Sequence, residues 1–321
     1  MSQYFEVGLT VHVAVENIDR QEAYTKICKA ANKLLPEFEF EIVEALVGKY
    51  TPCPLSSVKS GTVNECLQTA EVVLTPGVKI FCERMEPAAP GQKVESGCAL
   101  YSGSVKLQGS VERGLTVGHL FEDVGLECTV LCSCTSSSSV SVGRCQMKFA
   151  VVDLVDSLRR TTADLALLDV FCPAQNTIDI DNVTYLLHLY QGFLDPRHCP
   201  KVAILSDNAQ VRYGQVASTL FTVSSLGLYN TLSIVDPDNR WSRVNNPGDS
   251  GALVTSVPDP DSSREIVVYG MVIGYFESED GTQSTTVATR LWDILSYVDK
   301  MSQCRDVPCG LESGYVSLVS S

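Results

Sequence analysis

The chain has no long apolar run, no excess of basic charge and very few histidines, and each shortage removes a class of function. No stretch approaches the roughly 18 apolar residues that a membrane span requires. The opening Met-Ser-Gln-Tyr-Phe-Glu-Val-Gly offers no charged region followed by an apolar one, so no secretory signal is visible. Lys and Arg total 24 against 38 Asp and Glu, a net charge of −14. That sign is wrong for a nucleic-acid or anionic-membrane footprint, which needs clustered cations. It suits a soluble surface and, by steering, basic partners. The expected location is therefore intracellular, in the cytoplasm, with neither nucleic acid nor membrane as partner.

That location changes the meaning of the 13 cysteines. A reducing compartment favours buried thiols over a disulfide framework. Cys128, Cys132 and Cys134, followed by Cys145, raise the question of zinc, but the spacing lacks the paired C-x2-C arrangement of zinc sites. On a strand the first three share parity and line one face as small hydrophobes. No metal and no cofactor is expected.

Histidine is scarce enough to be informative: there are four, His12, His119, His188 and His198. None follows the most conspicuous motif of the chain, Asn245-Asn246-Pro247-Gly248-Asp249-Ser250-Gly251-Ala252-Leu253-Val254. A serine hydroxyl is a poor nucleophile unless a tight turn presents it together with backbone N–H groups. Gly248 and Gly251 permit such a turn and a close approach to a carbonyl. The N–H groups of Gly248 and Ser250 are candidates for an oxyanion hole. Alone, Gly-Asp-Ser-Gly also suits an ordinary polar turn.

Its companions are His119, in Gly114-Leu-Thr-Val-Gly-His119-Leu-Phe, and Asp164, in Thr162-Ala-Asp164-Leu-Ala-Leu-Leu. His119 ends an apolar strand, where a lone histidine is commonly structural. Asp164 opens an apolar run, so its carboxylate is expected to be partly buried and oriented, as holding an imidazole in one tautomer requires. Asp169 is the second candidate acid, with Asp153 and Asp156 weaker. His12 sits in an alternating strand, and His188 and His198 flank a loop. With no histidine after Ser250, the Ser…Asp…His order of α/β-hydrolases is excluded.

The order His119, Asp164, Ser250, together with Leu-Thr-Val-Gly-His, Asp-Leu-Ala-Leu-Leu and Pro-Gly-Asp-Ser-Gly, resembles the trypsin-like serine proteases of the chymotrypsin fold over about residues 95–300. The resemblance implies two packed β-barrels with a site between them, and peptide-bond hydrolysis by a His119–Asp164–Ser250 triad. It also implies a specificity pocket whose floor, six positions before the nucleophile, is Val244. The expected partner is a protein or peptide substrate, with the chain itself among the candidates. Secreted members mature by exposing Ile-Val-Gly-Gly, which is missing here; Lys93-Val-Glu-Ser-Gly97 is a poor substitute. The chain thus resembles intracellular members without zymogen-type activation, which leaves Asp249 in need of another cation or of solvent. The alternative is an inactive protease-fold binding or scaffold protein.

Periodicity divides the chain in two. Alternation over Phe5–Val15, a helical pattern over Tyr24–Leu35 and alternation over Phe38–Ile42 predict a small α/β module over residues 1–88. A Pro/Gly-rich joint at Pro87–Lys93 follows. Beyond it come strands at Cys98–Tyr101, Gly114–Val117, Glu127–Cys134, Met147–Asp153 and Asp164–Val170, and a second set at Lys201–Leu205, Val211–Ala217, Asn230–Val235, Gly251–Ser256, Ile266–Gly274 and Thr285–Thr289. Many short strands at regular spacing mean a sandwich or barrel. The expected fold is mainly β, two antiparallel six-stranded barrels over 95–300. A helix near Leu291–Val298 closes it, and a loosely ordered tail follows over 301–321.

Overall fold

In the computed structural model the described residues are 48–52, 56–58, 72–82, 96–107, 112–122, 128–135, 138–155, 160–192, 200–207, 210–223, 226–239, 242–259, 264–278, 281–303 and 317–318, with single positions 25, 26, 29, 33 and 194. The strand–helix–strand module expected over residues 5–42 falls outside them, apart from those isolated helical positions.

Among the described residues the strands in chain order are β1 (Gly48–Pro52), β2 (Ser56–Val58), β3 (Lys79–Cys82), β4 (Ser96–Leu100), β5 (Gly103–Lys106), β6 (Glu112–Thr116), β7 (Thr129–Thr135), β8 (Ser138–Val155), β9 (Arg160–Val170), β10 (Thr177–Ile180), β11 (Val183–Leu189), β12 (Lys201–Leu205), β13 (Val211–Val223), β14 (Leu228–Val235), β15 (Leu253–Ser256), β16 (Glu265–Ser278), β17 (Ser284–Arg290) and β18 (Ser317–Leu318). A helix, α1 (Leu291–Gln303), follows β17.

The strands form two barrels. In the second, β16 pairs with β15, then β12, β13, β14 and β17 in turn, and β17 pairs back onto β16, closing a ring of six. In the first, the order is β4-β3-β7-β8-β9-β6-β5. β4 and β5 are halves of one bent strand broken only at Tyr101 and Ser102, so this sheet also wraps round as six staves. Closure removes the open edges that would invite aggregation. The mainly β, double six-stranded architecture with a closing helix is therefore present. β10 and β11 add a hairpin to β16 through a parallel pairing of β11, and β18 adds an edge to β5.

Alternation explains the inward faces. Along β11, Tyr185, Leu187 and Leu189 are buried while their neighbours are half-exposed or exposed. Val202, Ile204, Val216, Leu232, Ile234, Val254 and Val272 fill the second barrel. Leu291, Ile294, Leu295 and Val298 form one face of α1 and join the larger cluster that also holds Leu115, Val130, Leu165 and Leu168 of the first barrel. Cys82, Cys98, Cys128, Cys132 and Cys145 are buried as small core residues. Among the described residues no helix is long and apolar enough to cross a membrane.

Two differences from expectation concern boundaries. Lys79–Cys82, inside the stretch assigned to the N-terminal module, is a stave of the first barrel, with Phe81 opposite both Cys98 and Leu131. β1 and β2 likewise belong to the β body. In the tail, Ser317 and Leu318 pair with Lys106 and Val105. Removing residues 1–88 takes β3 out from between β4 and β7 and is expected to abolish folding. Soluble yield and far-ultraviolet circular dichroism check this, and a soluble, β-rich truncated protein would contradict the assignment.

Candidate active site

The sequence folds a glycine turn onto each side of the seam between barrels. β6 ends in a short 3-10 turn, Gly118–Phe121, that carries His119. A Cβ on Gly118 would lie 1.9 Å from the carbonyl oxygen of Phe149, so only glycine fits before the histidine. Asp164 stands in the middle of β9 between Ala163 and Leu165, all three fully buried. An unpaired carboxylate there would be costly. Both its oxygens are committed to one residue: Oδ1 accepts from the backbone N–H of His119 at 2.8 Å and Oδ2 meets His119 Nδ1 at 2.5 Å. The other ring nitrogen, Nε2, lies 2.9 Å from Ser250 Oγ. A proton on Nδ1 satisfies both contacts, with Nε2 accepting the serine O–H.

The turn holding Ser250 is shaped by Gly248 (φ 91°) and Gly251 (φ 88°), in the left-handed region that glycine tolerates. Gly251 is also pressed against the first barrel, where a Cβ would meet Leu100 O at 2.4 Å. Leu100 N–H donates to Ser250 O at 2.7 Å, and Ser102 Oγ donates to Gly251 O at 2.7 Å. On the second barrel, Gly251 N–H donates to Val272 O at 3.0 Å, and Val272 N–H returns a bond to Ala252 O at 2.8 Å. The serine turn is thus riveted to both barrels. Near Asp164, Thr289 Oγ1 donates to Thr162 O at 2.9 Å, and Thr162 Oγ1 donates to Gly227 O at 3.0 Å.

Asp249, left open by the sequence, has a protein cation. Its buried carboxylate accepts from Ser206 Oγ, from Arg212 Nη1 and, at 2.6 Å, from the N–H of Asn246. Arg212 on β13 and Ser206 after β12 were not found from the sequence, because nothing local marks a strand arginine as the partner of a turn 37 residues away.

The structure brings His119, Asp164 and Ser250 together. Asp169 instead pairs with Arg113 Nη1 at 2.7 Å. His188 lies on β11, 3.5 Å from Glu265 Oε1. His12, His198 and Asp156 fall outside the described residues. Val244 is half-buried against the second-barrel cluster, its Cγ2 3.1 Å from where a Cβ on Gly214 would stand. Its N–H donates to Thr286 Oγ1 at 2.9 Å.

No family model matches the chain, and no curated protein sequence matches it. Solved structures similar to it include Thermobifida fusca protease A, at 14% identity and a TM-score of 0.43 over 71% of this chain and 96% of that one. Another is Nocardiopsis protease, at 12% and 0.44 over 70% and 96%. A third is Cellulomonas bogoriensis chymotrypsin, at 12% and 0.42 over 71% and 96%. What the site can do chemically follows from its own geometry.

Two substitutions test the scaffold. Arg212→Met leaves Asp249 buried without its cation and is expected to cost about 3 kcal/mol, the low end for a broken buried pair because the arginine is partly exposed. Gly118→Ala forces a methyl into the Phe149 carbonyl and is expected to cost about 3 kcal/mol, at the upper end for overpacking. Urea unfolding midpoints measure both; a wild-type midpoint in either variant contradicts the corresponding contact.

Proposed function

We propose that the chain is a serine endopeptidase acting by acyl transfer. The observation that carries this reading is one imidazole within hydrogen-bond reach of both a buried carboxylate, at 2.5 Å, and a serine hydroxyl, at 2.9 Å. Acid–base chemistry and nucleophilic attack need that relay.

In the first step Ser250 Oγ attacks the carbonyl carbon of a peptide bond while His119 Nε2 takes the hydroxyl proton. Asp164 holds the ring by its Nδ1–H and balances the charge of the imidazolium. The N–H groups of Gly248 and Ser250 stabilise the tetrahedral oxyanion, typically worth about 100- to 1,000-fold in rate per donor. The C–N bond then breaks, His119 returns its proton to the departing amine, and an ester to Ser250 remains. Water, deprotonated by the same imidazole, attacks that ester and releases the acid. No metal or cofactor enters this scheme.

Val244 completes the proposal as the floor of the pocket for the side chain before the scissile bond. It carries no charge to offset burial of a cation, which would cost several kcal/mol unpaired. Apolar or small side chains are therefore the preferred substrates, with self-cleavage one form of the activity. An intracellular location belongs to the same reading, since a reducing compartment keeps the buried cysteines as thiols.

Ser250→Ala and His119→Ala are each expected to abolish casein hydrolysis to a similar extent, because such residues act as a unit. Both proteins should keep the wild-type circular dichroism spectrum. Wild-type turnover by Ser250→Ala excludes it as nucleophile. Profiling against a peptide library checks the pocket, and a dominant preference for Arg or Lys would overturn the assignment of Val244 alone.

A further inference from the structure

An extended peptide docks most readily by adding a strand to a sheet edge, since its own N–H and C=O groups then supply the bonds. Two edges reach the neighbourhood of Ser250. On the second barrel, β16 bonds Gly251 and Ala252 through Val272, and Gly274 lies two residues further along. On the first, β4 bonds Ser250 O through Leu100, and Cys98 lies two residues back. Both edges are already taken by one piece of this chain. β1 pairs antiparallel with β16, ending with Pro52 opposite Gly274. β2 pairs antiparallel with β4, beginning with Ser56 opposite Cys98.

Connectivity makes the juxtaposition specific. Pro52 and Ser56 are four residue steps apart, so the chain passes from one barrel to the other within about 14 Å. The two ends of that passage lie opposite Gly274 and Cys98, each two residues along from Val272 and Leu100, which hold the Ser250 turn from either side. The contact on β16 is also built rather than incidental. Gly274 has no side chain where β1 crosses; a Cβ there would stand 2.5 Å from Thr51 O and 2.7 Å from the Tyr50 ring. Tyr50 Oη donates to Ile273 O at 3.3 Å, and its ring packs against the main apolar cluster. Lys49 stands opposite Glu277, a complementary cross-strand pair. In this state Ser250 has no exposed surface and His119 only 7%, although a substrate carbonyl must reach both.

We propose that the consecutive strands β1 and β2 occupy the substrate-docking edges on both sides of Ser250 and hold the site closed to other polypeptides. The inference rests on the acyl-transfer reading for its consequence, but the occupancy can be measured without chemistry. A tethered strand competes at an effective concentration near millimolar, so a substrate in trans must displace it.

The test uses the full chain and a Lys49→Gly/Tyr50→Ser/Thr51→Gly variant, which keeps the length of the segment while removing its strand propensity and its tyrosine anchor. Amide hydrogen exchange over Gly274–Ser278 is expected to speed up at least about tenfold in the variant, and a synthetic peptide of residues 48–58 should restore protection. Exchange that ignores the substitutions, or that the peptide leaves unchanged, overturns the proposal. If the variant fails to fold, Tyr50→Ala takes its place in the same measurement. Casein turnover is expected to rise about tenfold in the variant and to fall again with added peptide. Equal, measurable turnover in both proteins overturns the blocking role. Absence of turnover in both, with exchange responding as expected, overturns the acyl-transfer reading and leaves the occupancy established.

Discussion

The arrangement at the centre of this molecule depends on the seam between its two barrels, and above all on the bond from Leu100 N–H to Ser250 O. His119 and Asp164 belong to the first barrel and Ser250 to the second, so no local feature can bring the three together. The distance between the imidazole and the hydroxyl is set by how closely the barrels approach. That approach is fixed by a backbone contact that tolerates no side chain, Gly251 against Leu100 O, while within the first barrel Gly118 against Phe149 O sets the position of the histidine. Ser102 and Thr162 add hydrogen bonds across the same seam. A shift of a few tenths of an ångström there would be felt directly at the relay from carboxylate to imidazole to hydroxyl.

Electrostatics complete what packing begins. Two carboxylates are buried near the site, and each is satisfied differently. Asp164 is surrounded by apolar strand residues and directs both oxygens to His119, which fixes the ring. Asp249 faces the other way, to Ser206, Arg212 and the backbone of Asn246, and so ties the serine turn to β12 and β13. With Arg212 supplying the cation from within the fold, the turn has no need of a newly exposed amino terminus. Activation by terminal exposure and control by strands paired to the sheet edges are different physical devices, and β1 on β16 and β2 on β4 are the pairings on which the second would rest.

Much of this was legible in the residues because the requirements are local. Glycine before His119, glycines around Ser250 and an acid opening an apolar run each answer a steric or burial demand within a few residues of the chain, although β9 begins earlier, at Arg160, and so puts Asp164 in mid-strand. The strand periods of β12, β13 and β16 could be read for the same reason. What escaped was long-range or masked by composition. Arg212 looks like any charge on a strand until β13 is folded beside the serine turn. β1 and β3, written Gly-Lys-Tyr-Thr-Pro and Lys-Ile-Phe-Cys, are too short to show a period, and their pairing partners lie far along the sequence. The β10–β11 hairpin did carry a signal that went unread. Asp181 and Asn182 adopt positive φ between two strand-like runs, the composition of a two-residue turn.

The central claim is that the geometry around Ser250 makes its hydroxyl an activated nucleophile. Reaction with a fluorophosphonate, followed by mass-spectrometric mapping of the adduct, tests it most directly, since an ordinary serine does not react. The account predicts a single adduct on Ser250 in the folded protein, lost in urea and lost in His119→Ala. A folded protein that stays unlabelled even in the Lys49→Gly/Tyr50→Ser/Thr51→Gly variant, or labelling that survives removal of the His119 ring, would contradict it.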